Sequence, residues 1–498
     1  IPEDNFYRRL KSILDLRFLY RFTKKYYGDC GQKSIDPVVF FKLMLVGYLE
    51  NIISDRKLIQ HCSMRMDILF FLGYDIDEPL VWHSTISRTR DVFPSEVFDE
   101  VFDKILRMCV EAGMVSGHTQ AIDSAPVKAN ASMESLELKV PADTLDEHLR
   151  KVRYMSTPDR KVKENKASQE QQTITATERQ LKEIKSRNKK WKKDQDERPG
   201  AKNNNAKYTS NHTHYSPTDP DARISVKPGK ARKLNYLSQL AVDTAEHVIT
   251  HIGADHANKK DNQCLQSVTL KLKKRLEDQG MIWRNLIADT GYSSGVNYAF
   301  LEETGLLSYI PPHGTYKGGP EGFEYDKENN CWLCPEGKIA TFRKTHTQKD
   351  GIKKNLYLTK RSDCKGCPIK IKCIAKSHEK KIDITYYREE YERAIARIKS
   401  KRGRYMKTKR QSTVEPVFGT LTQFMGMRKV NTRGIDNANK VMMMAAIAYN
   451  LKKYLKFTKN KVETVAKHAK ETGISLFDYF CQLLLLTSPN NRIELTQI

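Results

Sequence analysis

Strand and helix patterns alternate between residues 234 and 311, and this alternation constrains the fold more than any other feature of the sequence. Apolar runs bounded by turn residues predict strands at residues 236–242, 247–254, 283–288 and 306–311. Amphipathic spacing predicts helices at 262–278 and 296–304, and an earlier β-compatible segment lies at 120–128. Two neighbouring strands followed by helix, strand, helix and strand predict an α/β fold with a mixed sheet flanked by helices.

Three carboxylates in this framework are candidates for a metal site. Asp123 lies in the middle of the strand predicted at 120–128, and Asp289 directly follows the strand predicted at 283–288. Glu415 is an isolated acid among basic residues and begins a helix with an apolar face that can dock on the sheet. Taken singly, Asp123 is more simply a turn cap and Glu415 an ion-pair partner, and an Asx turn or helix cap is the alternative for Asp289. Together, three hard oxygen ligands suit Mg²⁺ or Mn²⁺, and two such ions about 4 Å apart activate water or a 3′-hydroxyl.

The net charge of +26 on 498 residues predicts a polyanionic partner, with nucleic acid as the first choice. Lysines around Trp191, in the polar segment 135–210, form either a solvated face or a DNA-backbone contact. The basic residues expected to contact DNA are Arg88, Arg90, Lys192, Lys193, Arg223, Lys409, Arg410, Arg428, Lys429 and Arg433. No apolar run is long enough for a membrane span and no signal pattern is present, so we expect a cytoplasmic protein without a membrane partner.

Residues 1–115 have the pattern of short helices separated by turns. Pro37 suits the first turn of a helix over 37–49, and Ser54 and His83 mark further helix starts. An amphipathic helix begins at Ser95. Such a region is either a DNA-binding helical domain or a plain packing domain, and the charge of the whole chain favours DNA binding.

Five of the ten cysteines are clustered, and they predict a structural zinc site. The predicted ligands are Cys334, Cys364, Cys367 and Cys373, with Cys331 as the alternative to Cys334. We favour Cys334 because a proline follows it, as a proline follows Cys367. Unligated thiols and an iron–sulfur cluster are the other interpretations. A site closed by four sulfur ligands leaves no position for substrate, so its role would be structural.

Several short segments, in their order and spacing, resemble bacterial insertion-sequence transposases of the DDE type. These segments are Ser34-Ile35-Asp36-Pro37, His83-Ser84-Thr85-Ile86-Ser87-Arg88, Ala121-Ile122-Asp123-Ser124, Thr218-Asp219-Pro220-Asp221-Ala222-Arg223, Gln239-Leu240-Ala241-Val242-Asp243, Ala288-Asp289-Thr290-Gly291-Tyr292, Val414-Glu415-Pro416-Val417-Phe418-Gly419, Arg433-Gly434 and Ala448-Tyr449-Asn450-Leu451. The resemblance extends over residues 1–455 and includes the cysteine-rich insertion.

The resemblance implies a ribonuclease-H-like core in which Asp123, Asp289 and Glu415 bind catalytic Mg²⁺ or Mn²⁺. It implies a transposase that binds the ends of its element, cleaves DNA strands and joins the freed 3′ ends to target DNA, with a homodimer holding the two ends together. Gln411 and Thr422 depart from the family pattern, because an arginine and a lysine are common at these positions. The alternatives are a nuclease of the same fold and a transposase-derived DNA-binding protein without catalysis.

The predicted organisation has a helical DNA-binding domain at residues 1–115 and a catalytic core interrupted by two insertions. The first part of the core comprises 116–134 and 211–312, and its last part, with the glutamate helix, comprises 391–455. A basic helical or flexible insert occupies 135–210, and the cysteine-rich insertion occupies 313–390. A helical tail, 456–498, follows the core.

Overall fold

The computed structural model describes residues 1–28, 34–138, 211, 214–225, 232–314, 316, 318–348 and 351–472, with side chains up to residue 460. The chain forms a mixed α/β structure with two compact units. One unit contains Ile1–Val115, Thr420–Asn431 and the chain from Lys440. The other contains Ser116–Gly419 and Thr432–Asn439. Residues 456–472 of the predicted helical tail belong to the last helix, while residues 473–498 and most of the predicted basic insert lie outside the described residues.

The first unit begins with a series of helices. They are α1 (Phe6–Ile13), α2 (Phe18–Thr23), α3 (Pro37–Leu49), α4 (Asp55–Ser63), α5 (Met66–Leu72), α6 (His83–Val92) and α7 (Ser95–Glu111). Side chains cap two of these helices: Asp36 accepts hydrogen bonds from the first turn of α3, which begins at Pro37 as predicted, and Ser54 caps α4, also as predicted. The aromatic rings of Phe40, Phe41, Phe93 and Phe98 pack on one another in the core.

Distant parts of the sequence complete this helical unit. The amide of Asn51 donates to the carbonyl oxygen of Gln423, and its oxygen accepts from the backbone N–H of Gly426. Arg9 donates to the carbonyl oxygen of Leu455 at 2.8 Å. Because these bonds join residues more than 370 positions apart, the unit cannot be completed by its N-terminal helices alone.

The second unit is built on a mixed sheet. Its strands are β1 (Thr119–Lys128), β4 (Arg223–Ser225), β5 (Lys233–Asp243), β6 (Ile249–His256), β7 (Asn285–Ala288) and β8 (Leu307–Tyr309). β5 pairs antiparallel with β1 and β6, and the start of β5 also pairs with β4. On its other edge β1 pairs parallel with β7, which pairs parallel with β8. A separate two-stranded pair joins β2 (Glu137–Leu138) to β3 (His214–Tyr215).

Helices cover this sheet, as the alternation of the sequence predicts. α8 (Asp261–Asp278) and α9 (Gly295–Glu303) contribute apolar side chains to a buried core with strands β1, β5 and β7. The members of that core include Ile122, Ala241, Leu265, Val268, Leu272, Leu286 and Tyr298. Burial of these side chains holds the ends of β1 and β7 in fixed positions.

The cysteine-rich segment contains a second sheet, which the sequence pattern did not predict. It is antiparallel, in the order β13 (Lys381–Thr385), β12 (Lys353–Thr359), β11 (Ile339–Thr347), β10 (Cys331–Leu333) and β9 (Glu324–Asp326). A small core of Trp332, Ala340, Tyr357 and Ile382 supports it. Two short helices, α10 (Arg361–Lys365) and α11 (Lys370–Ile374), lie between β12 and β13. Because β11 is mostly exposed, its sequence lacks the apolar run typical of a core strand.

Three helices follow: α12 (Arg388–Lys399), α13 (Lys401–Phe424) and α14 (Ile435–Thr472). The residues directly before β4 cap α14: Asp219 accepts from the N–H of Gly434, and Asp221 accepts from the N–H of Ile435. Within the described part of the chain, no helix is long and apolar enough to cross a membrane.

Candidate active site

Asp123 and Asp289 stand side by side on neighbouring parallel strands. The last register pair between β1 and β7 joins Ile122 to Ala288, and each aspartate is the next residue along its strand. β7 ends there, while β1 continues along β5. Polar side chains at the carboxyl ends of parallel strands are a common place for a binding site. The structure therefore brings two of the three predicted carboxylates together.

The Asp123 carboxylate is largely buried and has two hydrogen-bond partners. Oδ2 accepts from Arg410 Nη1 at 2.9 Å, and Oδ1 accepts from the N–H of Ser124 at 2.8 Å. Burial raises the pKa of Asp123 to about 6, although the Arg410 charge and the Ser124 hydrogen bond act in the opposite direction. The charges of Asp289 and Asp261 add to the rise. A carboxyl with this pKa titrates near neutral pH.

A third aspartate, which the sequence analysis did not predict, lies beside these two. Asp261 is the first residue of α8, and its Oδ1 accepts from Ser124 Oγ at 2.5 Å. A methyl group built on Gly291 would lie 2.7 Å from Asp261 Oδ2 and 3.0 Å from Asp289 Oδ1. The two oxygens are thus no more than about 6 Å apart, and both lie close to Gly291.

A buried tyrosine lies close to the carboxylates. Tyr292 is fully buried, and its hydroxyl donates to Gln239 Oε1 at 2.8 Å. Burial raises the pKa of Tyr292 well above its usual value, and the charges of Asp261, Asp123 and Asp289 add to the rise. Tyr292 therefore stays a neutral hydrogen-bond donor. Nε2 of Gln239 is buried without a hydrogen-bond partner among the described residues.

Glu415 has a different environment. It lies on α13 with its side chain exposed, while Met406, Thr413 and Val417 form the buried face of the helix. Arg410 contacts Asp123, and Glu415 follows it by five residues, which places Glu415 about 140° further around the helix. In this structure the side chain from α13 that reaches Asp123 is an arginine and not the glutamate.

The donor atoms suit hard divalent cations, although they are not arranged as a formed metal site. Among the described residues, no three His, Cys, Asp or Glu side chains are positioned to hold a metal ion. Asp123, Asp261 and Asp289 nevertheless supply carboxylate oxygens, the ligand type that Mg²⁺ and Mn²⁺ prefer. Oxygens of two of them, Asp261 and Asp289, approach Gly291. The residues therefore fit such an ion, provided that the oxygens now bonded to Arg410 and Ser124 turn towards it.

The four predicted zinc ligands line one cavity of the second sheet. Cys334, Cys364, Cys367 and Cys373 all face it, and Cys331, buried in β10, is not among its lining residues. The N–H of Lys338 donates to Cys334 Sγ at 3.2 Å, and Cys364 Sγ lies 3.2 Å from Thr359 Oγ1. These four thiols also lack the arrangement of a formed metal site in the described structure.

The predicted DNA-binding residues have different environments. Arg88, Arg428 and Arg433 are exposed, and Lys409, Arg223 and Lys429 are partly exposed. Lys192 and Lys193 lie outside the described residues. Arg90 is 2 % exposed and forms an ion pair with Asp55 at 2.8 Å, so it cannot reach a DNA backbone. We therefore remove Arg90 from the predicted DNA-binding set.

Two family models match the chain. One, described as Transposase DDE domain, matches residues 333–455, which include Glu415 and the four predicted zinc ligands. The other, described as Transposase domain (DUF772), matches residues 1–92. No curated protein matches the sequence. Transposase domains thus match at both ends of the chain, and these matches support an insertion-sequence transposase of the DDE class.

Proposed function

We propose that this transposase binds the ends of its own element, cleaves DNA strands there in a metal-dependent reaction and joins the freed 3′ ends to target DNA. The observation that carries the proposal is that Asp123 and Asp289 each follow the last paired residues of two adjacent parallel strands, inside a strongly basic chain. The match to a DDE domain around Glu415 supports it. Such a protein works on double-stranded DNA and belongs in the cytoplasm, with the nucleoid.

The strand order supports a ribonuclease-H-like core. Three antiparallel strands, β6, β5 and β1, are followed by two strands parallel to β1, namely β7 and β8. The first catalytic aspartate lies on the central strand β1, and the second follows β7. The glutamate comes from the later helix α13. We infer that Asp123 and Asp289 hold catalytic Mg²⁺ or Mn²⁺ and that Glu415 completes the set after α13 or its side chain turns.

The reaction has two balanced steps. Water adds to phosphorus and the bond from phosphorus to the element's 3′ oxygen breaks, which leaves a 3′-hydroxyl on the element and a 5′-phosphate on the flank. That hydroxyl then forms a bond to phosphorus in the target strand, and the target's 3′ oxygen leaves with a proton. When bound, two divalent ions supply Lewis acidity to the phosphate and lower the pKa of the attacking hydroxyl.

The chain's own residues have three roles in this scheme. Asp123 and Asp289 must be ionised to hold a cation, and the raised pKa of Asp123 makes that ionisation sensitive to pH. Arg410, now bonded to Asp123, is well placed to turn to a DNA phosphate when a cation takes its position. Exposed basic residues such as Arg88, Arg428 and Arg433 hold the DNA backbone.

We also infer that Cys334, Cys364, Cys367 and Cys373 bind one structural Zn²⁺. Their shared cavity supports this assignment, and the position of Cys331 away from that cavity favours Cys334 as the fourth ligand. Soft thiolate ligands select zinc over Mg²⁺. Synapsis of two element ends requires two active sites, so we propose that a homodimer is the working form.

The test uses labelled duplex that carries the DNA flanking the coding region, incubated with the full chain and Mg²⁺ or Mn²⁺. Glu415→Gln is assayed beside Glu303→Gln, an exposed glutamate at the end of α9. We expect metal-dependent cuts at the element boundary that Glu415→Gln abolishes and Glu303→Gln retains. Cleavage without joining would instead identify a nuclease, and binding without cleavage would identify a DNA-binding protein. Full cleavage by Glu415→Gln would overturn the role of Glu415.

A further inference from the structure

We propose that the second sheet is a DNA-binding surface that contacts the phosphate backbone of duplex DNA without reading its sequence. Its contact residues are Arg343 and Lys344 on β11 and Lys354 on β12, which we call the β11–β12 cations. This inference rests on the proposed function, because it names a surface through which the transposase holds its DNA. None of the three belongs to the basic residues that the sequence analysis assigned to DNA.

The first argument is the concentration of positive charge in this part of the chain. Residues 338–381 contain fourteen lysines and arginines but three acidic residues, a net charge of +11. The whole chain of 498 residues carries +26, so a large share of its net charge lies in a small part of its sequence. Positive charge at this density attracts a polyanion. The transposase-domain matches favour DNA as that polyanion.

Lysines on a β-sheet have a simpler role, since they protect an exposed edge strand against pairing with another chain. The edge strands of the second sheet are β13 and β9, so that role is sufficient for Lys381 on β13. It does not account for the β11–β12 cations, because β11 and β12 are interior strands of this sheet. Their charges need another explanation.

The β11–β12 cations also differ in their pairing from other cations of the cysteine-rich segment. Lys327 forms an ion pair with Glu389 at 3.1 Å, and Arg361 forms one with Glu379 at 3.3 Å. None of the β11–β12 cations forms an ion pair with another residue that the structure describes. Their charges are therefore not compensated by described carboxylates, and they can pair with phosphates.

The strand register places two of these cations on one face of the sheet. Lys344 lies opposite Leu356 of β12, and Lys354 precedes Leu356 by two residues, which is the side-chain period of a strand. Tyr357, the neighbour of Leu356, points to the other face, where it belongs to the small core of the sheet. The two lysines are diagonal neighbours, with Cβ atoms about 7–8 Å apart, on the face away from that core.

A bulge in β11 adds Arg343 to this pair. The register shifts between Phe342 and Lys344, so Arg343 has no register partner on β12. A bulge bends its strand and redirects the side chain of the extra residue, and Arg343 is exposed. Lysine and arginine contacts to phosphates position DNA but carry no information about its bases. The surface therefore fits the DNA backbone and not a particular sequence.

Helix α12 links the second sheet to the core sheet within one compact unit. Its first residue, Arg388, lies over the ring of Tyr325 on β9, 3.5 Å from the ring centre. Further along α12, Arg393 forms an ion pair with Glu302 of α9 at 2.6 Å. Because α9 covers the core sheet, DNA on the second sheet is held by the same unit that carries the candidate active site.

The experiment measures binding of a fluorescent duplex to the full chain by anisotropy, without added Mg²⁺ or Mn²⁺ and over a range of salt concentrations. Lys344→Gln/Lys354→Gln removes two of the β11–β12 cations. Lys327→Gln/Arg361→Gln, the matched control, removes two cations that are paired with glutamates. We expect the first variant to bind about 10-fold more weakly and its slope of log affinity against log salt to be shallower by about 2. The control should keep the wild-type slope.

The measurement is made with an element-end duplex and with a duplex of unrelated sequence, and we expect the same loss for both. A loss confined to the element-end duplex would overturn the sequence-independent contact. Equal affinities of the two double variants would overturn the surface itself, since both lose the same net charge. Stronger binding of RNA than of duplex DNA, lost in Lys344→Gln/Lys354→Gln, would assign the surface to RNA instead.

Cleavage at the element boundary separates a failure of this inference from a failure of the proposed function. If wild type cuts there and Lys344→Gln/Lys354→Gln binds DNA as tightly as the control, the inference fails and the proposed function stands. If wild type binds duplex DNA but does not cut it, the proposed function fails, and the salt slopes alone decide the inference.

Circular dichroism reports whether Lys344→Gln/Lys354→Gln folds. If it does not, Arg343→Gln is the second variant, because this exposed bulge residue has no register partner on β12. Its salt slope should be shallower than that of wild type by about 1. A slope equal to that of wild type in folded Arg343→Gln would contradict the contact.

Discussion

The two candidate metal sites of this transposase are assembled in opposite ways. Asp123 and Asp289 come from β1 and from the end of β7, and they meet only because the sheet folds. The thiols come from one short segment, between Cys334 and Cys373, and line one cavity. The aspartates already bond to Ser124, Gly291 and Arg410. The arrangement of a site built from distant elements thus depends on the fold. The arrangement of a site built from one segment depends instead on the ion that it binds.

The difference follows from the chemistry of the donors. A buried carboxylate is charged near neutral pH and must be compensated by hydrogen bonds or by a cation, so its surroundings have to be built in advance. A thiol is neutral until a metal displaces its proton, and four thiols can remain uncompensated without a large cost. We therefore expect loss of the catalytic ion to leave the core sheet folded and loss of zinc to unfold the second sheet.

The largest effect should come from the aspartates on the parallel strands. Asp123→Asn or Asp289→Asn removes a charged ligand but keeps the size of the side chain, so strand cleavage should fall about 10³-fold or more, equivalent to about 4 kcal/mol in the barrier. Binding of element-end DNA should change little. Gel assays of cleavage and of binding with the same duplex measure both. Substantial cleavage by either variant would contradict the assignment of these carboxylates.

The next effect concerns the thiols. Cys334→Ser should abolish stoichiometric zinc binding and lower the stability of the second sheet by several kcal/mol, because zinc binding there is coupled to folding. Cys331→Ser is the matched control, since Cys331 lies outside the cavity and should retain one zinc per chain. Atomic emission gives the zinc content and thermal unfolding gives the stability. Zinc loss in Cys331→Ser with retention in Cys334→Ser would reverse the ligand choice.

A smaller effect is expected at Gly291. Gly291→Ala places a methyl group 2.7 Å from Asp261 Oδ2 and 3.0 Å from Asp289 Oδ1, so the carboxylates must move apart. Misplacement on this scale should lower cleavage about 10- to 100-fold without unfolding the chain. Gly314→Ala is the control, because a Cβ there meets no atom within 4 Å. Equal cleavage rates for the two alanine variants would show that the space at Gly291 has no role in the reaction.

The sequence predicted the elements that carry the site better than the contacts within it. Periodicity identified α3, α8, β1 and β7 closely, because their apolar positions face a core. Asp261 was missed because an acid at a helix start is ordinary in sequence, and only tertiary structure brings it to Ser124.

Arg90 and the second sheet show two further limits of the sequence pattern. An arginine in a basic chain gives no sign that it is buried against Asp55. The second sheet was missed because its strands are short or exposed, so they lack the apolar periodicity of core strands. The four cysteines predicted to bind zinc line one cavity, and their ligation of zinc stays a prediction.

The smallest expected effect tests the electrostatics of the aspartate cluster. The pKa of Asp123 is raised from 3.8 to about 6 in the folded protein, mainly by burial, so the folded state holds that proton more tightly than the unfolded chain. The resulting stabilisation is fully present below pH 4 and is lost as the pH rises through about 6. Asp123→Asn has no such proton, so its stability does not change in this way. Without added Mg²⁺, its free energy of unfolding should therefore rise by about 2 kcal/mol relative to that of wild type between pH 4 and pH 7.

Denaturant unfolding of both proteins across this pH range measures the difference, and Asp278→Asn, at an exposed position, should show no such trend. Because the Arg410 charge lowers the pKa of Asp123, Arg410→Gln should raise that pKa. The pH at which the stability falls should then be higher in Arg410→Gln than in wild type. If the free energies of unfolding of wild type and Asp123→Asn change in parallel with pH, Asp123 is not desolvated. The contrast between a buried carboxylate and neutral thiols, on which the comparison of the two sites rests, would then be wrong.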